Sequence, residues 1–168
     1  MYWIYGSVLL TLLLIAWEDY KFRAVHWWLF LLLFLGLGIS SFLKFGLNIS
    51  LERTGGNTLF VVSQLVCLTA YFSLKNKQFV NVLGGYFGSG DLCFLIAISI
   101  YFSFFSFILF YILSLLMVIL ITLILKVSKL SMGEKIPLAG YQAIFLFAFM
   151  LSEFTWPGRI YGSQLLEI

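Results

Sequence analysis

A long run without a charged residue constrains this chain more than any other feature. Residues 92 to 125 form a stretch of 34 residues that contains no Asp, Glu, Lys or Arg. One straight helix of that length would measure about 51 Å, whereas the hydrocarbon core of a bilayer is about 30 Å thick. The run therefore predicts two membrane helices, with the serine-containing stretch from Tyr101 to Ser106 as the turn between them.

The composition of the whole chain supports the same class. Of its 168 residues, 62% are hydrophobic and only 10% are charged, whereas soluble domains carry about 25% charged residues. The net charge of +3 does not indicate nucleic-acid binding. Cys67 and Cys93 both lie in apolar segments and fit neither a zinc site nor a disulfide framework. We expect a single membrane domain over residues 1–168, without a metal or a cofactor.

Apolar runs of suitable length predict about six spans. Glycines and polar residues separate them: a polar loop is expected from Asn48 to Asn57, and Phe79 to Gly90 is too short and too glycine-rich to cross. The apolar start of the chain lacks a basic region and a cleavage site, so we expect a retained span rather than a signal peptide. The predicted fold is an all-α polytopic membrane protein with a glycine-rich interfacial segment before the fourth span. The expected spans cover about residues 2–17, 25–43, 58–74, 92–125 (two spans) and 138–154.

The basic residues divide unequally between the two sides of this layout. Seven fall on one side and three on the other, and the positive-inside bias places the richer side in the cytoplasm. Both termini would then lie outside, and both aspartates of the chain, Asp19 and Asp91, would lie at cytoplasmic helix ends. The richer set is Lys21, Arg23, Lys75, Lys77, Lys126, Lys129 and Lys135, and the poorer set is Lys44, Arg53 and Arg159.

Asp19 and Asp91 are the candidate catalytic residues. Two carboxylates that share a site do not both ionise readily, so the pair holds one proton over a useful pH range. The charged member can activate a water while the protonated member polarises a carbonyl group. The chain has a single histidine, His26, and no GxSxG, HExxH or P-loop motif. Acid–base hydrolysis by the two aspartates is therefore the chemistry that the residues favour.

Simpler roles for these residues stay open at the level of sequence. Asp19 could pair with Arg23 four residues later on a helix end. Asp91 could be the N-cap of a helix that begins at Leu92. The neighbouring glycines could serve helix packing alone, and Glu18 could replace Asp19 as the partner of Asp91.

Three segments together resemble the type IV prepilin peptidase family, which includes the archaeal preflagellin peptidases. Asp19 ends a first span, the motif Gly88-Ser89-Gly90-Asp91 opens a later one, and Ile136-Pro137-Leu138-Ala139-Gly140 resembles the start of a late span in the family. Two positions depart from the family pattern. Val25-His26 stands where the family has Ile-Pro, and Cys93 stands where it usually has lysine.

The resemblance implies a GxGD-type aspartic endopeptidase of the cell inner membrane. It would cleave the leader of prepilin-like proteins at the cytoplasmic face, with Asp19 and Asp91 as the catalytic pair and a water as nucleophile. Gly88 and Gly90 would let the substrate backbone approach. The chain would be a short form that lacks the N-terminal methylation domain of many bacterial members, and its partners would be the substrate protein and the lipid bilayer. The alternative is a non-catalytic membrane protein, either a degenerate peptidase fold or a small proton-coupled carrier.

Overall fold

Six α-helices account for nearly all of the chain that can be described. The computed structural model describes residues 2–79, 88–127 and 138–155, and within these ranges it contains no strand. The all-α prediction is therefore confirmed for the described residues. The helices are α1 (Tyr2–Phe22), α2 (Trp27–Phe45), α3 (Leu47–Asn76), α4 (Ser89–Ile98), α5 (Phe104–Val127) and α6 (Leu138–Thr155).

Five of the helices form a closed circuit around the sixth. Contacts join α1 to α2, α2 to α3, α3 to α5, α5 to α6 and α6 back to α1, while α4 packs against α2, α3 and α6. Phe94, Leu95, Ala97 and Ile98 are all buried, so α4 has no solvent-facing side along its second half. A helix that is apolar on every side belongs in the interior of a bundle, and the sequence of α4 accounts for its central place.

The charge-free run breaks into two helices, as its length predicts. Helix α4 ends at Ile98 and α5 begins at Phe104. Side chains of neighbouring helices bind the carbonyl groups of this turn: Asn57 donates to Ser99 and Phe102 (2.7 and 2.9 Å), and Ser41 donates to Ile100 (2.9 Å). Backbone groups released from a helix at membrane depth need such partners. With ten residues, or about 15 Å, α4 is too short to cross a bilayer by itself.

The predicted polar loop from Asn48 to Asn57 is wrong. These residues form the first turns of α3, which is joined to α2 by Gly46 alone, at a φ of +83° that favours glycine. Asn48 and Glu52 remain exposed on this helix, whereas Ser50 and Asn57 make buried contacts. The Ser50 hydroxyl lies 3.0 Å from that of Ser41, and Asn57 is fully buried against the α4–α5 turn.

The glycine-rich segment is described only at its end. Residues 80–87 lie outside the described ranges, so the expected interfacial segment and its Gly84-Gly85 pair cannot be compared with the structure. Phe79 precedes the gap and Gly88 follows it. Ser89 and Gly90, expected in the loop, are instead the first two residues of α4.

Three helices of the described chain are long and apolar enough to cross a membrane. They cover Trp27–Phe45, Leu47–Asn76 and Phe104–Lys126. Large apolar side chains project outward from them, with Leu59 and Ile124 more than 60% exposed. Exposed apolar surface on this scale is typical of helices whose solvent is lipid.

Candidate active site

Asp19 lies on the inward face of α1. Val8, Leu12 and Ile15 form a buried stripe at spacings of four and three residues, and Asp19 continues it at the next position. Its side chain is only 8% exposed. The Asp19 Oδ2 atom accepts a hydrogen bond of 2.6 Å from the backbone N–H of Gly140, at the start of α6.

Asp91 occupies the third position of α4 and continues the buried stripe of that helix. Phe94 and Leu95 follow it at three and four residues and are buried. The N-cap of α4 is Gly88, which makes no side-chain cap hydrogen bond. The proposal that Asp91 caps a helix beginning at Leu92 is therefore wrong, because the helix begins two residues before Asp91.

The first turn of α6 brings the two acids together. The backbone N–H of Gly140 binds Asp19, and the N–H of the preceding residue, Ala139, stabilises the charged form of Asp91. First-turn amides have no acceptor within their own helix and carry a partial positive charge, so they favour carboxylates. Hydrogen-bond and backbone dimensions then place the two carboxylates within about 10 Å of each other.

The environment of the pair disfavours ionisation of both members. Both groups lie at helix ends, outside the long apolar spans. Burial raises the pKa of Asp19, and this effect is partly opposed by the Gly140 N–H and by the positive charge of Arg23. Burial, followed by the negative charge of Asp19, raises the pKa of Asp91 from 3.8 to about 6, against a smaller opposing effect of the Ala139 amide. The pair therefore favours a state in which the two carboxyls hold one proton.

Glu18 points to a different partner. It accepts a 3.0 Å hydrogen bond from the His26 backbone N–H, and its Oε2 atom lies 2.9 Å from the ring Nδ1 of His26. Burial raises the pKa of Glu18, but the hydrogen bonds and charge of His26 outweigh that effect, and the pKa is lowered. Glu18 thus joins the end of α1 to the start of α2, which argues against it as the partner of Asp91.

The backbone at His26 has a conformation that proline could also adopt. Its φ is −65°, which is the value that a proline ring imposes. Its backbone N–H, which proline would lack, bonds to Glu18.

A glycine lies next to each of the two carboxylates. A Cβ atom at Gly88 would lie 2.7 Å from Asp91 Oδ2, and a Cβ at Gly140 would lie 3.0 Å from Asp19 Oδ2 and 3.2 Å from Asp19 Cβ. A Cβ at Gly90 would meet only Phe30, at 3.8 Å, which is an ordinary contact. The site thus depends on Gly88 and on Gly140, a residue that the sequence prediction left out of the site.

Cys93 is exposed and lies two residues beyond Asp91, a rotation of about 200° around the helix. Its Cα–Cβ direction therefore differs from that of Asp91, although the two residues are close in sequence.

Comparison of the chain with protein-family models, with curated proteins and with solved structures finds no match. What the site can do chemically is therefore argued from its own residues. Within the described residues, no group of three or more His, Cys, Asp or Glu side chains could hold a metal ion. A buried and a half-buried carboxyl that disfavour each other's ionisation are suited to general acid–base chemistry, because one member can accept a proton while the other donates one.

Proposed function

We propose that this chain is a multi-pass membrane aspartic endopeptidase of the prepilin peptidase type, with Asp19 and Asp91 as its catalytic pair. The observation that carries the proposal is the first turn of α6, where consecutive backbone amides act on the two carboxylates. Two carboxylates on α1 and α4, 72 positions apart in sequence, are thus held against one helix end. An arrangement in which burial and mutual repulsion push the two acidities apart is typical of an acid–base pair.

In the proposed reaction Asp91 holds the shared proton at the start, since the negative charge of Asp19 disfavours its ionisation. Asp19, as carboxylate, takes a proton from a water molecule while the water oxygen bonds to the carbonyl carbon of the scissile peptide. Asp91, as the neutral acid, gives its proton to the carbonyl oxygen, and a tetrahedral diol forms. Asp19 then gives its proton to the amide nitrogen as the C–N bond breaks, and Asp91 regains a proton from the diol. Both aspartates return to their starting states, and one water is consumed.

In this proposal the glycines admit the substrate. Gly88 is exposed and has an extended backbone, so its main chain is open to a substrate backbone that approaches Asp91. The substrate class, a prepilin-like protein with a short leader, rests on the resemblance of the Gly88–Asp91 motif to the family.

The proposed membrane topology has six crossings and places the site on the cytoplasmic side. The charges of the described helix ends support it: Lys21, Lys75 and Lys126 lie in the last turns of α1, α3 and α5, at the same side of the bundle as Asp19 if all six helices, the short α4 included, alternate in direction. Because α4 is short, the fourth crossing is completed by the buried turn that follows it.

Cysteine labelling in intact cells tests this orientation. In a variant without Cys67 and Cys93, single cysteines replace Glu52 and Lys75, which are exposed residues near opposite ends of α3. We expect an impermeant thiol reagent added outside the cells to modify Glu52→Cys and to spare Lys75→Cys until the cells are opened. The reverse pattern would put both aspartates on the wrong side for cleavage in the cytoplasm.

Cleavage by the purified protein tests the function itself. We expect the protein in lipid nanodiscs to cut one bond near the leader of prepilin-like peptides, with mass spectrometry identifying the new ends. A proton-coupled carrier would leave every peptide intact and would acidify the lumen of proteoliposomes when its solute is present. Intact peptides across a broad panel would therefore favour the non-catalytic alternative.

A further inference from the structure

Gln142 carries a buried hydrogen-bonding atom that the proposed mechanism has not used. The side chain is 1% exposed, and its Oε1 atom has no partner among the residues that the structure describes. A buried polar atom without a partner costs about 1–3 kcal/mol, so proteins rarely keep one without a reason.

The hydroxyl of Ser114 determines which atom of the Gln142 side-chain amide has no hydrogen-bond partner. The Ser114 hydroxyl donates to the carbonyl of Tyr111 at 2.9 Å, so toward Gln142 it acts as an acceptor. The Gln142 Nε2 atom donates to it at 3.3 Å. Exchanging the nitrogen and oxygen of the amide would place two acceptors against each other. The atom without a partner is therefore an acceptor.

Gln142 also lies close to the acid pair along α6. It follows Ala139 by three residues, which is one turn of the helix and a rotation of about 60° from the side of Ala139. Side chains on a helix tilt toward its N-terminus, so Gln142 reaches back toward the turn whose amides contact the aspartates. Ala139 acts on Asp91 of α4, and Gln142 contacts Ser114 of α5. The side chains of Ala139 and Gln142 are both buried, so both belong to the inward side of α6.

The second buried side-chain atom without a partner has a different setting. Asn57 Oδ1 belongs to the side chain that binds Ser99 and Phe102, at the opposite end of α4 from Asp91. Of the two atoms, the acceptor of Gln142 is the one within one helical turn of the amides that act on the acid pair.

We propose that Gln142 Oε1 accepts a hydrogen bond from a water molecule that also contacts the Asp91 carboxyl, which makes Gln142 a positioning residue for the hydrolytic water. The role rests on the proposed peptidase function. With one O–H directed to Gln142, the water donates its other O–H to the Asp19 carboxylate and accepts a hydrogen bond from the Asp91 O–H, which leaves its second lone pair for the scissile carbonyl carbon. The fixed acceptor removes the need to orient the water at the moment of reaction.

Three variants separate positioning from structural support. Gln142→Met keeps the length of the side chain and removes the acceptor, and we expect kcat to fall about 10- to 100-fold with KM nearly unchanged. Gln142→Glu, neutral at mildly acidic pH, keeps a carbonyl acceptor and should recover part of the rate there. Ser114→Ala removes the partner of Nε2 and keeps Oε1, so kcat should stay within about threefold. Equal losses in Gln142→Met and Ser114→Ala, with a common loss of thermal stability, would overturn the proposal.

An infrared measurement tests the water contact without relying on catalysis. The C=O stretching band of protonated Asp91, identified as the band that Asp91→Asn removes, should move to higher frequency in Gln142→Met because the carboxyl loses a hydrogen-bonded neighbour. It should stay in place in Ser114→Ala. A shifted band in a protein that cuts no peptide would keep the water site and reject the peptidase. An unmoved band in an active peptidase would reject the role of Gln142 alone.

Discussion

Asp19→Asn and Asp91→Asn should each lower peptide cleavage at least about 100-fold, since each removes one half of an acid–base pair. Asparagine keeps the size of aspartate. It also keeps an oxygen that can accept a hydrogen bond from the Gly140 or Ala139 N–H. Both variants should therefore insert, fold and purify like the parent protein. Initial rates measured in nanodiscs, with circular dichroism on the same samples, check the result.

Glu18→Gln is the matched control, because Glu18 is the neighbouring carboxyl and binds His26 instead of α6. We expect it to keep most of the cleavage rate. Full activity in Asp19→Asn combined with loss of activity in Glu18→Gln would exchange the roles of the two residues and remove Asp19 from the mechanism.

Asp91→Asn should also change stability, with a sign that depends on pH. The folded state raises the pKa of Asp91 from 3.8 to about 6, so the ionised group opposes folding fully above pH 6 and not at all below pH 3.8. The variant removes this cost, which amounts to about 3 kcal/mol at most. We expect its thermal midpoint to exceed that of the parent at pH 7.5, with the difference shrinking toward pH 4. Loss of activity together with a gain of stability distinguishes a functional acid from a structural one.

The second large effect on cleavage is expected when a single methyl group is added at Gly88 or at Gly140. In Gly88→Ala the new Cβ would meet Asp91 Oδ2 at 2.7 Å, and in Gly140→Ala it would meet the Asp19 side chain at 3.0–3.2 Å. The end of the Asp91 side chain can swing away, so Gly88→Ala should fold normally with a displaced carboxylate. Displacement by about 1 Å can cost 100-fold in rate, and we expect losses of about 10- to 100-fold in kcat/KM for both variants.

Gly90→Ala provides the control for the glycine series. It makes the same chemical change two residues from Gly88, but its Cβ would meet only Phe30 at an ordinary 3.8 Å. We expect its cleavage rate to stay within about threefold of the parent, because alanine is otherwise tolerated or favoured in a helix. Equal losses in Gly88→Ala and Gly90→Ala would show that the glycines serve helix packing or chain flexibility rather than the carboxylate.

Sequence patterns could predict the parts of the fold that depend on length and apolarity. The charge-free run had to break, and it breaks between Ile98 and Phe104, close to the serines that marked the turn. The inward orientation of the two aspartates was not predicted, because α1 and α4 are apolar on nearly every side and the buried positions that Asp19 and Asp91 continue are visible only in the structure.

The remaining features depend on tertiary contacts that local patterns do not contain. Asn57 looks like a loop residue, yet the α4–α5 turn supplies it with two carbonyl partners inside the bundle. The contribution of α6 was missed because backbone amides have no sequence signature, although Gly140 was visible in the segment that resembles the family. Gln142 could not be singled out before the positions of Ser114 and Ala139 were known.

Titration of the Asp91 carboxyl, followed by its infrared band in the parent protein and in Asp19→Asn, tests most directly whether the two aspartates form one site. In the parent protein the band should titrate near pH 6, and in Asp19→Asn it should titrate at a lower pH because the neighbouring negative charge is gone. The account would be contradicted if Asp91 titrated at its ordinary value in the parent, or at the same pH in both proteins, because the two carboxyls would then not share a site.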